Sequence, residues 1–305
     1  MSSKVANILL SLGKVDRKII FAIIGIVVLI PLLKPEWVDI PIQISPDSRK
    51  VFTELSSLEP NSKVLLSFEY GPSTKPEIHP MSVALLNHLF AKQIKVYIMA
   101  LWPDGVFMAT DALDQVLSSN LFNIEEYTDY VNLGFKQGGE VVIRGVASDI
   151  RQLYTKDYKQ VPMDDIPMME GVNSVSDFDY VIDLSAGTPG TTEWVQYACD
   201  PKNVPFTSGC TSIQVTDVMP YVKSGQVRGI LAGMPGAAEY ESMVKEELQR
   251  LQKENSPGIN PGVTVPTGKA TGRMSAQSIA HLVMVLFIIL GNISYFISRR
   301  MKARE

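Results

Sequence analysis

The chain has 305 residues, of which 46% are hydrophobic and 20% charged, with a formal net charge of −4. That is too apolar for a disordered chain. An acidic balance with no clustered Lys and Arg also excludes nucleic acid as a partner, because phosphate binding needs a basic stripe that releases counterions.

The first element is a basic tail, residues 1–18, carrying Lys4, Lys14, Arg17 and Lys18 against Asp16. Residues 19–33, IIFAIIGIVVLIPLL, follow as an uncharged run of fifteen. As helix this run is about 22 Å long, short for a hydrocarbon core of about 30 Å. Lys18 and Lys34 can snorkel from its ends, and no small-x-small cleavage site follows. It is therefore expected to be an uncleaved transmembrane anchor that thins the bilayer locally. A proline-rich lead, 34–46, connects it to a domain expected over residues 47–255.

Inside that domain a short apolar run, a turn and a helical pattern recur. Strands are expected at 63–68 (KVLLSF), 95–101 (KVYIMAL), 140–146 (EVVIRGV), 180–184 (YVIDL), 204–206 and 227–232 (VRGILA). Helices are expected at 80–92, from 148 into 154, at 213–222 and at 237–253. The last of these, rich in Glu, Lys and Gln, has the solvated character of a stalk. Nearly continuous apolar strands alternating with helices imply a Rossmann-like three-layer α/β domain with a mainly parallel sheet. Right-handed crossovers then gather the carboxyl ends of the strands along one edge, where open α/β sheets bind ligands.

The candidate binding residues follow from that edge. They are Glu69 and Tyr70 after the first strand, Asp104 after the second and Asp149 after the third. Asp183, Ser185, Thr188 and Thr191 belong to the fourth, and Glu239 to the last turn. An acid within an apolar run, such as Asp183, needs a partner or an open position. The Gly-Thr-Pro-Gly turn at 187–190 could present backbone N–H groups to an anion, or serve only as a strand-to-helix turn capped by Thr191 or Thr192. Converging carboxylates would permit acid–base chemistry or oxygen ligation of a metal. No G-x-S-x-G and no G-x-G-x-x-G is present, and GVTVPTGKA fails as a P-loop because Ala270 replaces the Ser or Thr and no strand precedes it. His79 and His88 are not on one helical face, so no zinc site is expected. Catalytic residues and cofactor are not assigned by the sequence.

The two cysteines, Cys199 and Cys210, fall in the domain and are expected to pair if it lies in an oxidising compartment. After a Pro/Gly-rich linker, 256–275, residues 276–298 run without Asp, Glu, Lys or Arg and close on Arg299 and Arg300. This is the expected second transmembrane helix. Gly291 beside Asn292 suits close approach and hydrogen bonding of another helix within the bilayer. The basic tails 1–18 and 299–305 are each +3, leaving the middle of the chain near −10. The positive-inside rule then places both termini in the cytoplasm and the domain outside the cell membrane. The partners expected are the lipid bilayer and, through the spans, another protein or a second copy. The function expected is binding or assembly of a membrane-associated complex in the cell envelope. A membrane-anchored hydrolase using edge carboxylates and an extracytoplasmic small-ligand sensor are the alternatives.

Overall fold

The computed structural model describes residues 16–34, 41–266 and 268–302. The tails and the lead 34–46 thus lie partly outside the described residues. A compact α/β unit spans Ile42–Thr271, and the residues flanking it on both sides form a second unit. In chain order the elements are α1 (Arg17–Leu33), α2 (Pro46–Ser56), β1 (Lys63–Glu69), α3 (Lys75–Ala91), β2 (Lys95–Ala100), α4 (Pro103–Ser118), β3 (Tyr130–Phe135), α5 (Glu140–Ser148) and α6 (Ile150–Leu153). There follow β4 (Tyr180–Ser185), α7 (Thr191–Trp194), β5 (Phe206–Cys210), α8 (Val215–Ser224), β6 (Ile230–Ala232), α9 (Gly233–Lys253) and α10 (Lys269–Lys302).

The six strands form one all-parallel sheet in the order β3-β2-β1-β4-β5-β6. This is the doubly wound, Rossmann-like arrangement, in which the chain leaves β1 toward one edge and returns through β4 toward the other. Because crossovers are right-handed, reversing direction between β1 and β4 puts the helices of the two halves on opposite faces. Accordingly α2, α3, α4 and α9 pack together on one face, and α5, α7 and α8 cover the other. The central strands are buried on both faces, which is why their sequences read as unbroken apolar runs.

Several expectations are corrected. Residues 140–146 are helix α5, not a strand. Their buried members Val142, Ile143, Val146 and Ala147 make a helical stripe, which a short β-branched run hides. The third strand is instead Tyr130–Phe135, with Gly134 at φ +81°. Helix α4 opens on Pro103, whose missing N–H suits a first helical position; its Gly105 lies so close to β1 that a Cβ would sit 2.1 Å from the Phe68 carbonyl oxygen. The fifth strand reaches Cys210 because Thr207 and Ser208 are buried within it, Thr207 Oγ1 donating to the Gly229 carbonyl at 3.0 Å.

Helix α9 is not a stalk: Gly236, Ala237, Tyr240, Met243, Val244 and Leu248 are buried against α3 and its neighbours. The stretch 256–275, expected to be an extended linker, is tied to the unit: Gln252 Nε2 donates to the Asn260 and Val263 carbonyls at 3.2 and 2.7 Å, the Thr271 N–H donates to Glu241 Oε2 at 3.0 Å, and from Lys269 onward it is already helix α10. Cys199 and Cys210 are free, buried thiols rather than a disulfide. Both belong to the apolar cluster between the sheet and its second helical layer, and burial raises both thiol pKa values, so they behave as small hydrophobes.

Of the described helices only α10 is long and apolar enough to cross a membrane. Helix α1 forms, with Asp16 accepting from the Lys18 N–H at its start. Its seventeen residues reach about 25 Å, less than a hydrocarbon core.

Candidate functional site at the carboxyl edge of the sheet

The register of the central strands sets the geometry. Ser67, Asp183 and Ser208 lie side by side across β1, β4 and β5, and Glu69 pairs with Ser185, which pairs with Cys210, in the next row. Side chains two apart on a strand share a face. The Ser67–Glu69 and Asp183–Ser185 pairs therefore project toward the same layer, the one closed by Trp194. All four are fully buried.

The hydroxyl of Ser67 donates to Glu69 Oε1. Thr191, at the start of α7, donates to Asp183 Oδ2 at 2.6 Å and lies 2.7 Å from Ser208 Oγ. The other oxygens, Glu69 Oε2 and Asp183 Oδ1, have no protein donor of full hydrogen-bond geometry, although the Trp194 indole N–H approaches Glu69. The two carboxyls face each other, so a single proton held between them satisfies both. Burial first, and then the Asp183 charge, lift Glu69 well above the usual carboxylate range. Burial also raises Asp183, to about 6, against the hydrogen bonds from Glu69 and Thr191 that favour its anion. Both carboxyls thus hold a proton more readily than exposed ones do, with burial the first cause in each. This pair sits between β1 and β4, where the strand order reverses and where doubly wound sheets place their ligands.

The turn after β4 closes over the pair. Ser185 Oγ donates to the Gly187 carbonyl at 2.9 Å and accepts from Gln214 Nε2 at 3.3 Å. Gly190 lies so near that a Cβ would meet Ser185 Oγ at 2.0 Å. Trp102, which precedes α4, donates its indole N–H to the Pro189 carbonyl at 3.1 Å and packs its ring on Gly187. The Thr188–Pro189 peptide is cis. Thr188 itself is exposed.

Glu69, Asp183, Ser185 and Thr191 are therefore the expected residues that the fold brings together. Tyr70 points to the opposite face, where its hydroxyl lies 2.9 Å from His79 Nδ1 and 2.6 Å from Ser82 Oγ. His79 Nε2 continues to Asp111 at 2.8 Å, and Lys75 reaches the same carboxylate at 2.7 Å. The Lys75 hydrogen bond, and then His79, hold Asp111 below the usual carboxylate range. Asp104 is exposed in the first turn of α4. Asp149 is at the far end of α5, capping α6 through the Arg151 and Gln152 N–H groups at 3.0 and 3.2 Å. It is apart from the others because α5 runs away from the carboxyl edge. Glu239 accepts from the Ser45 N–H and hydroxyl at 3.1 and 2.5 Å, which anchors the start of α2. Gly291 and Asn292 are exposed on α10.

Ser67, Ser208 and Trp194 were not singled out from sequence. The available signal was period two: Ser67 precedes Glu69, and Ser208 precedes Cys210, by one strand repeat. Among the described residues no three His, Cys, Asp or Glu side chains are grouped to hold a metal ion. A small cleft of about 90 Å³ lies elsewhere, beside β3, lined by Asp114, Glu126, Tyr130, Asp157 and Lys159 among others. None of the expected site residues lines it. Comparison with protein-family models, with curated proteins and with solved structures finds no match to this chain.

Proposed function

We propose that this is a membrane-anchored protein whose α/β unit lies outside the cytoplasm and acts in binding or assembly of a membrane-associated complex. Helix α10 supplies one span, and α1 supplies a second by local thinning of the bilayer. The orientation rests on the basic tails and the acidic middle of the chain. The observation that favours assembly over catalysis is the sealed edge: Glu69, Asp183 and Ser185 are completely buried, so no substrate reaches them in this conformation. A sensor would need room at the Ser185–Thr192 turn, where Ser185 Oγ is already engaged by Gly187 and Gln214. Gly291 and Asn292, exposed on α10, are available for helix association.

The second reading, an anchored hydrolase, draws its support from the Glu69–Asp183 pair. Two carboxyls sharing a proton at the strand-order reversal are a ready acid and base, provided the Gly187–Gly190 turn opens.

The test is to purify the full chain in mild detergent and measure its mass by native mass spectrometry. Tags on the two tails are probed with external protease in intact cells. A defined oligomer or stoichiometric complex, with both tags protected, is expected. A monomer without companions would overturn assembly, and digestion of either tag the topology. Turnover of chromogenic esters by the wild type but not by Asp183→Asn would establish the second reading.

A further inference from the structure

Strand β3 is the last on its side of the sheet. The turn 157–159 lies along its outer edge, the Tyr158 N–H donating to the Asn132 carbonyl at 2.9 Å. On the face away from Glu69 and Asp183, helix α4 packs against β2 and β3. Its Thr110, Leu113, Asp114 and Leu117 follow one another at i, i+3, i+4 and i+7, a single helical face. All four line the cleft of about 90 Å³ between helix, strand and turn. That volume holds roughly six waters, or one ligand of similar bulk.

Two buried polar side chains form the floor. Tyr130 and Asn132, two apart on β3 and so on one face, are 9% and 7% exposed and line the cleft. Asn132 Oδ1 accepts from the Gly134 N–H at 3.0 Å, which turns its Nδ2 away from the strand. Neither Asn132 Nδ2 nor the Tyr130 hydroxyl has a hydrogen-bond partner among the described residues. Leaving a buried donor unpaired is unfavourable, and a bound acceptor relieves that.

The charge around this floor is one-sided. Asp114 is exposed at the mouth and has no basic partner among the described residues. Asp157 accepts from neutral donors, the Val161 N–H at 2.7 Å and the Tyr127 hydroxyl at 2.8 Å. The Lys159 ammonium is engaged by Glu126 at 2.5 Å. Burial, and then the Glu126 and Asp114 charges, raise the Tyr130 hydroxyl to about 12, so it stays neutral.

We propose that this cleft binds a small primary ammonium compound that also carries a hydroxyl group. The ammonium pairs with Asp114. The hydroxyl accepts from Asn132 Nδ2 and donates to the Tyr130 oxygen, a double role that a carbonyl could not fill. Leu113 and Leu117 cover the carbons between. Anions are disfavoured because the carboxylates outnumber Lys159, which is already paired. The described carboxylates are not grouped to ligate a metal ion, so the cation is organic. The site is on the sheet face opposite the Glu69–Asp183 pair and does not depend on the topology proposed above.

The full chain in dodecyl maltoside is titrated with ethanolamine, 3-aminopropanol and 4-aminobutanol, followed by saturation-transfer NMR from protein to ligand. At least one of the three is expected to give a saturable signal with a dissociation constant of about 1 mM, as suits molecules this small. Butylamine, which lacks the hydroxyl, should bind about threefold to tenfold more weakly, and butyrate should not compete. Asp114→Asn should weaken binding of the amino alcohol about tenfold. Asp165→Asn removes the same charge at an exposed position outside the cleft and should leave binding unchanged. Unshifted thermal midpoints verify that both variants are folded, and the comparison of amino alcohol with butylamine needs no variant. Absence of a saturable signal from all three compounds overturns the inference. So does equal binding of butylamine, competition by butyrate, or equal weakening by the two substitutions.

Discussion

Thr191 binds Asp183 and Ser208 with one hydroxyl, at 2.6 and 2.7 Å, and so ties the start of α7 to β4 and β5 across the candidate site. Replacing it by valine keeps the shape and removes both bonds. A buried polar group deprived of its partner costs about 1–3 kcal/mol. Thr191→Val should lower unfolding stability by that amount in urea titration and Thr191→Ser by much less. Equal behaviour of the two variants would show that the hydroxyl is not holding Asp183.

The shared proton gives a pH signature with a definite sign. Glu69 and Asp183 are both raised in the folded state, Asp183 to about 6, so the folded protein keeps protons that the unfolded chain releases from about pH 4 upward. Their contribution to stability is full below that pH and is lost as pH rises through the folded values. Glu69→Gln keeps a donor toward Asp183 and removes one titrating acid. It should be more stable than wild type at about pH 8 and converge with it near pH 4. A constant difference across that range would count against a shared proton.

His88 acts in the opposite sense. It is buried between Ser56 and Tyr240, at 3.1 and 2.6 Å, and stacked on Phe52. Burial lowers its pKa to about 4. Its contribution is present above the unfolded value of about 6.5 and is lost as pH falls toward the folded one. The two trends oppose each other in wild type, and Glu69→Gln should expose the histidine's. Ring resonances of His88 should stay in place from pH 8 down to about pH 5, which NMR titration measures.

Gly233 joins β6 to α9 at φ +59°, and a Cβ there would meet Ser212 Oγ at 2.0 Å and Glu77 Oε1 at 2.7 Å. The Glu77 carboxylate binds the Ser212 N–H and hydroxyl at 2.7 and 2.6 Å, so the intruding atom strains backbone and contact together. Gly233→Ala should cost about 1–3 kcal/mol or more, read as a lowered denaturation midpoint at unchanged slope.

The cysteines supply a test independent of energetics. Native protein should present no rapidly reacting thiol, and urea-unfolded protein two, without added reductant. Electrophoretic mobility should be the same with and without reductant.

Much of the architecture was legible locally. Unbroken apolar runs such as KVLLSF, KVYIMAL and YVIDL can be satisfied only by strands covered on both sides, so the parallel α/β class follows from hydropathy alone. The uncharged run ending at Arg299 and Arg300 likewise announces an apolar helix, now part of Lys269–Lys302. Short β-branched stretches defeat the same reasoning. EVVIRGV fits a strand and a helix equally well by composition, and the decision falls to packing, which buries Val142, Ile143 and Val146 on one helical stripe.

Asp183 stood out as an acid inside an apolar strand, and Glu69 as an acid at a strand's end, but neither fact implies the other. Their meeting depends on β4 pairing with β1, a neighbour relation fixed by the hand and direction of the crossovers and not by any local pattern. Tyr70 faces the other side by simple alternation with Glu69, whereas Asp149 left the edge because 140–148 is helix and not strand, and Cys199 and Cys210 are buried unlinked. Periodicity is written into neighbouring residues, so the sequence determined the elements' class and their buried faces. Proximity between distant segments arises only when the whole chain packs, so the tertiary structure alone decided which side chains share a site.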